Sequence, residues 1–203
     1  NRIAEGLRPL LGNSVFLTNG ETWKRQRRII DPAFEGGRLK DTFPAMREAA
    51  EAAVERLQGQ LGSPVEIEAH TSHAAADVIF RTLFSIPIEH EIAAQVFTRF
   101  RDYQRSQPIL NLAAFIPIPR WMPRFFKKTT KRDAAEIRRL ITQLTNERMQ
   151  LIEAGEAPDD LATKIMTTAD PVTGDRFDTE EMVDQVAIFF LAGHETSASA
   201  LAW

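Results

Sequence analysis

The sequence predicts a mainly α-helical fold, and three observations carry that prediction. Apolar residues recur at threes and fours through most of the 203 residues, the mark of helices buried along one face. Glycine and proline fall between these periodic stretches and not inside them, as they do in connections. Only Pro64-Val65-Glu66-Ile67-Glu68 alternates as a strand does, enough for one short edge strand and too little for a sheet. With 43% hydrophobic residues and no internal repeat, the chain is long enough to bury one sizeable core.

The first clear helix is predicted to open at Thr18-Asn19-Gly20-Glu21, where a threonine and a glutamate three positions on can satisfy two backbone N–H groups reciprocally. It runs to Ile30, and Asp31-Pro32 stops it, because proline disfavours helical geometry in the residue before it. From Arg38 to Gln60, the spacing of Leu39, Phe43, Met46, Ala50, Ala53, Leu57 and Leu61 predicts a long amphipathic helix that Pro44 can split. Further helices are predicted over Ala69 to Phe84 and Glu89 to Gln104, and over Thr129 to Glu153, where Ile137, Leu140, Ile141, Leu144 and Leu151 mark the apolar face. Between the last two lies the apolar, proline-broken run Ile116-Pro117-Ile118-Pro119-Arg120-Trp121-Met122-Pro123, which reads as a lid, a membrane-facing surface or a buried crossing. Asp159 is placed as the cap of a short helix ending near Thr168, and Asp170-Pro171-Val172-Thr173-Gly174 reads as a turn. The last helix starts at Asp178, capped with Glu181, and is apolar all round from Val183 to Ala192, as befits a helix at the centre of a core.

Charge and composition narrow the chemistry. Twenty-five Lys and Arg against 28 Asp and Glu leave a net charge of −3, too balanced for a nucleic-acid-binding surface. The chain has no cysteine, which excludes disulfides, thiol nucleophiles and thiolate-bound cofactors within these residues. No run approaches the roughly 20 apolar residues of a membrane span and no basic-then-apolar stretch resembles a signal peptide, so a soluble, cytoplasmic protein is expected, a lost amino-terminal anchor aside.

Three clusters carry polar groups at functional spacing. Within the last helix, Ala192-Gly193-His194-Glu195-Thr196-Ser197 places an acid and two alcohols inside an apolar stretch. Either Thr196 and Ser197 bond back to carbonyls one turn earlier while Glu195 meets solvent or an arginine, or Gly193 opens the helix over a ligand and the acid–alcohol pair relays protons to it. Trp23 and Arg27, four apart on one helix face, offer an indole N–H and a guanidinium fork, which suit a carboxylate-bearing cofactor. The other reading of that pair is a core aromatic beside a snorkelling arginine. Lys24, Arg25 and Arg28 point elsewhere, either as a solvated face or as a docking patch for an acidic partner. His70, His73 and Asp77 share a helix, but ligands so spaced rarely complete a metal site unaided, and no metal is assigned.

Taken in order, these segments resemble the amino-terminal half of a cytochrome P-450, the haem-thiolate monooxygenase superfamily. Leu17 to Arg28 followed by Asp31-Pro32-Ala33-Phe34 is similar to the family's C-helix block, Asp77 to Phe84 to its E helix, and Ala192-Gly193-His194-Glu195-Thr196 to its oxygen-binding I-helix motif, introduced by the Asp-Pro-x-Thr-Gly turn. The resemblance implies an incomplete cytochrome P-450-like fold in which residues 1–203 are a single partial domain, without most of the family's small sheet and its cysteine-ligand half. It implies haem b (iron protoporphyrin IX) as cofactor, bound only with the missing carboxy-terminal half, and a propionate held by Trp23 and Arg27. Gly193 is then expected to leave room for dioxygen, Ala192 to line the distal pocket, Thr196 to hydrogen-bond dioxygen and Glu195 to assist proton delivery. His194 is not a haem ligand in this reading. The implied partners are a hydrophobic small-molecule substrate, dioxygen, and a ferredoxin or flavoprotein reductase docking near Lys24, Arg25 and Arg28, with no nucleic acid. The axial thiolate of the family has no counterpart in a chain without cysteine, so the 203 residues alone are expected to be inactive. The competing expectation is a catalytically silent α-helical interaction module that buries its last helix and proline-rich loop against a partner.

Overall fold

The computed structural model describes residues 2–106 and 128–203, and the regular structure among them is helical throughout, with no strand. The proline-rich run at 116–123 lies outside the described residues. A helix that the sequence reading did not anticipate, α1 (Arg2–Leu11), comes first. Its Leu10 and Leu11 are fully buried, but ten residues with Pro9 inside them give too short a periodic signal to read.

Helix α2 (Gly20–Ile30) ends where Asp31-Pro32 predicts, passing into a single 3₁₀ turn, Asp31–Ala33. Its start differs from expectation, because Asn19 is the N-cap and makes no side-chain cap bond. The Thr18 hydroxyl is drawn away to the Gln26 side chain at 2.5 Å, and Gln26, almost fully buried, donates in turn to the Asn13 carbonyl at 2.6 Å. The predicted long helix is broken at Thr42 into α3 (Arg38–Asp41) and α4 (Phe43–Gln58), with Pro44 in the first turn of the second, where its missing N–H costs nothing. Its expected core face is covered only in part: Phe43, Met46 and Leu61 are exposed and Ala53 and Leu57 half-buried, and the fully buried contact is Ala49, whose small side chain lets α4 lie against α5 (Ile67–Phe84). The predicted strand is absent, since Ile67 and Glu68 are the first residues of α5.

Helices α6 (Glu91–Ser106) and α7 (Lys128–Ala154) follow their predicted bounds closely and pack on each other. Ile137, Leu140, Ile141 and Leu144 of α7 are buried, while Leu151 remains 37% exposed. Asp160, not Asp159, caps α8 (Leu161–Thr167), accepting from the Thr163 N–H. The choice is made by Arg148 of α7, buried with Asp160 and bonded to it, while Asp159 faces solvent and meets Arg38 at 3.3 Å. Arg148 also donates to the Phe84 carbonyl at 2.6 Å, so one buried ion pair joins the ends of α5, α7 and α8.

Helix α9 (Thr179–Ala202) begins with the predicted capping box between Asp178 and Glu181. It packs chiefly on α5, with α7 and α1 on its other flanks. Its first half is the centre of the core: Met182, Val183, Val186, Ala187 and Phe190 are buried, and Phe190 sits between Phe80 at 5.1 Å and Phe100 at 4.5 Å. Each of these side chains larger than alanine contributes about 1.5–3 kcal/mol on burial. Asp184 and Gln185 accept from the Asn13 and Val15 N–H groups at 2.7 and 2.9 Å, fastening the α1–α2 connection to α9. Gly12 makes that approach possible, since its φ of +51° is left-handed and any side chain there would run into the Asp184 carboxylate.

Candidate functional site

Helix α2 is held from one side and open on another. Arg28 grips the buried Asp170 carboxylate with two bonds of 2.6 and 2.8 Å, and this hydrogen bonding holds the Asp170 carboxyl well below the usual range. Arg25 reaches Glu181 at 2.5 Å and the Arg176 carbonyl at 3.0 Å, with its guanidinium over the Phe177 ring. Two of the three expected docking cations therefore tie α2 to the turn before α9, and Lys24 pairs with Glu21 on the helix surface at 2.7 Å. The sequence gives no sign of these tethers, since Asp170 and Glu181 lie 142 and 156 positions away from their partners.

Trp23 and Arg27 occupy the open side together. The Arg27 guanidinium lies 5.8 Å from the Trp23 ring centre, and its Nε pairs with Asp31 at 2.8 Å. Trp23 is 42% exposed, so it is not a core anchor, and Arg27 beside it is exposed as well.

Helix α9 changes character after Phe190. His194 turns inward and is 2% exposed, whereas Ala192 and Thr196, one turn apart, share the exposed side. Thr196 Oγ donates to the Ala192 carbonyl at 2.6 Å, the local back-bond that its position permits. Glu195, half-buried, accepts from Gln104 of α6 at 3.0 Å and has no arginine partner among the described residues. Gly193 faces α5: a Cβ there would stand 3.1 Å from Ile79 Cδ1, so the absent side chain allows two helices to close together. This adds a packing reason to the oxygen-access role expected of it. Ser72 and Gln104, which hold His194 and Glu195, carry no sequence signal.

The two open faces are connected. Phe34, just beyond the 3₁₀ turn that ends α2, meets Phe189 of α9 edge-on at 5.8 Å, and Ala192 and Thr196 lie at three and seven residues beyond Phe189 on the same side of the helix. A surface thus runs from two N–H donors, past two aromatic rings, to a small apolar residue and a hydroxyl with a carboxylate beside it. Such a surface can hold the carboxylates of a large flat ligand at one end and exchange protons at the other. His70, His73 and Asp77 are not gathered to share a ligand: Asp77 binds Arg81 Nε and the Ile88 N–H, both at 2.9 Å, and His73 packs edge-on against Phe97. No group of three or more metal-ligating side chains occurs among the described residues, and no helix among them is long and apolar enough to cross a membrane.

A model of the cytochrome P450 family matches residues 3–203. Cytokinin hydroxylase of Arabidopsis thaliana is 27% identical over 202 residues, covering 98% of this chain and 39% of that protein. Cyclooctat-9-en-7-ol 5-monooxygenase of Streptomyces melanosporofaciens is 30% identical over 202 residues, covering 97% of this chain and 41% of its own length. The chain thus spans about 40% of the length of these curated relatives. The heme domain of cytochrome P450DA superimposes with a TM-score of 0.72 over 96% of this chain and 42% of its own, at 22% identity, a likeness of fold.

Proposed function

The chain belongs to the cytochrome P450 family, and from that premise we propose that it is the part of a haem-dependent monooxygenase that holds a haem propionate and the distal, oxygen-handling side. The observation that carries the reading is the continuous open side from Trp23 and Arg27, through Phe34 and Phe189, to Ala192 and Thr196. The donor chemistry fits the group in part. A guanidinium and an indole N–H suit a propionate, and the exposed Phe34 ring, the half-buried Phe189 ring and Ala192 suit a flat apolar body. The axial thiolate of the family is not among these residues, because none is cysteine.

When bound, the haem supplies the iron at which dioxygen is activated for insertion into a C–H bond of a hydrophobic small molecule. The chain's own residues do the rest. Arg27 and Trp23 would hold a propionate, Ala192 would give the cofactor a small apolar neighbour, and Thr196 would offer a hydroxyl, here bonded to the Ala192 carbonyl, that can pass on a proton. Glu195, held by Gln104 within one residue of Thr196, is the source of protons for that hydroxyl. A ferredoxin or flavoprotein donor approaching α2 meets Lys24 first, since Arg25 and Arg28 are committed to Glu181 and Asp170. The isolated 203 residues do not turn over, because positioning the cofactor requires both of its faces.

The test is made on the protein with its thiolate-bearing region present. Arg27→Ala is expected to weaken haem affinity by about 10- to 150-fold, the effect of losing a charge-assisted hydrogen bond of about 1.5–3 kcal/mol, read as lower occupancy from the reduced, carbon-monoxide-bound Soret band. Thr196→Ala is expected to uncouple oxygen consumption from product formation. Full haem retention in the first variant and intact coupling in the second would overturn the assignment.

A further inference from the structure

We infer that His194 is a positioning residue for the Glu195–Thr196 pair: bonded to Ser72 and held between two phenylalanine rings, it fixes the rotation of α9 so that Thr196 faces the open side and Glu195 meets Gln104. The inference rests on the functional reading given above. Three elements converge on the imidazole. From α5, Ser72 Oγ lies 2.7 Å from His194 Nε2. Within α9, the ring stacks on Phe190 at 5.4 Å and 22°. From α6, Phe97 presents its ring at 5.6 Å and 88°.

Successive residues of a helix are turned by about 100°, so an inward His194 decides where its neighbours face. Gly193, one step to the other side, already lies against Ile79, which blocks rotation that way. Packing alone does not need a histidine here, since a phenylalanine ring fills the same space without a polar atom. His194 Nδ1 is buried with no hydrogen-bond partner among the described residues, a cost that the fold bears. What the histidine supplies in return is the one directional bond to Ser72. The ring is also a constant fixture. Burial, reinforced by Arg101 of α6, pushes its pKa down to about 4. The other histidine of the cluster, His73 on α5, is likewise depressed by burial and by Arg56 of α4, with Glu89 and Asp77 opposing. The imidazole is therefore neutral throughout the range in which proton relay operates.

Three variants separate positioning from simple support: Ser72→Ala removes only the hydrogen bond, His194→Phe keeps the ring, and His194→Gln keeps a polar group able to reach Ser72. In the full chain, hydrogen exchange at residues 195–202 is expected to quicken about fivefold in the first two, while α7 and α8 are unchanged, with His194→Gln returning toward the wild type. Equal quickening in every helix, or none in α9, overturns the inference. In the complete enzyme, Ser72→Ala is expected to lower product formed per oxygen consumed without raising KM. If Thr196→Ala uncouples and Ser72→Ala does not, this inference alone fails. If Thr196→Ala leaves coupling intact, the reading of the site fails and the positioning role fails with it.

Discussion

Replacing His194 by glutamine is expected to flatten the acid dependence of stability between about pH 7 and pH 4.5. The folded state holds this histidine near a pKa of about 4, and the unfolded chain returns it to about 6.5. Between those values the unfolded state binds more protons than the folded one, so stability rises with pH and is lost as pH falls through the window. At one pKa unit per 1.36 kcal/mol, the full separation is worth about 3 kcal/mol, of which about 2 is spent by pH 4.5. The carboxylate of Asp170, also depressed, acts in the same direction but only below its ordinary value of 3.8, outside the window. His73 contributes inside it and is common to both proteins. Urea unfolding followed by far-ultraviolet circular dichroism at pH 7, 6, 5 and 4.5 measures the difference directly. Parallel pH profiles for the wild type and His194→Gln would refute the buried, neutral assignment of this ring.

Other perturbations test separate parts of the structure. Arg148→Ala strands the buried Asp160 carboxylate and the Phe84 carbonyl, and is expected to cost about 3–5 kcal/mol in the same assay, as removal of one partner from a buried pair does. Gly193→Val forces branched carbons against Ile79 and is expected to cost about 1–3 kcal/mol, with faster hydrogen exchange in both α5 and α9. Asp170→Asn keeps the side-chain volume and loses the charge facing Arg28. Its stability deficit is expected in full at neutral pH and is expected to shrink progressively only as pH falls below about 4, where the unfolded carboxyl takes up protons before the folded one does.

What the sequence discloses is what local chemistry decides. The Asp178–Glu181 box, the stop at Asp31-Pro32 and the Asp170 turn form as expected, because their partners lie within five residues. Where a distant partner decides, the reading goes astray. Thr18 is an adequate cap until Gln26 takes its hydroxyl, and Asp159 and Asp160 are equivalent until Arg148 chooses one. Periodicity along α4 correctly announces a helix, yet it does not say which face is covered, and Ala49, not the larger residues, makes the fully buried contact. The site behaves in the same way. Trp23, Arg27, Glu195 and Thr196 are visible as residue types at telling spacings, while Gln104, which holds Glu195, Ser72, which holds His194, and Phe189, which meets Phe34, are ordinary residues until the fold brings them near their partners.

The inconsistency between propensity and pattern in α9 has a physical resolution. A helix that is apolar all round and then abruptly polar is costly if both halves lie in the same core. Here the halves do not share an environment. From Met182 to Phe190 the helix is enclosed by α1, α5 and α7, and from Ala192 onward only His194 and Ala198 remain buried, while Ala192 and Thr196 stand open. The histidine is the last inward polar contact before that change, and the glycine preceding it is where α5 comes nearest. Polar residues are tolerated at this point because Ala192 and Thr196 stand exposed among the described residues and Glu195 is bonded to Gln104. The same helix anchors the core through its first half and turns an open side outward through its second, so the rotation that His194 fixes where the two halves meet determines which residues that side offers.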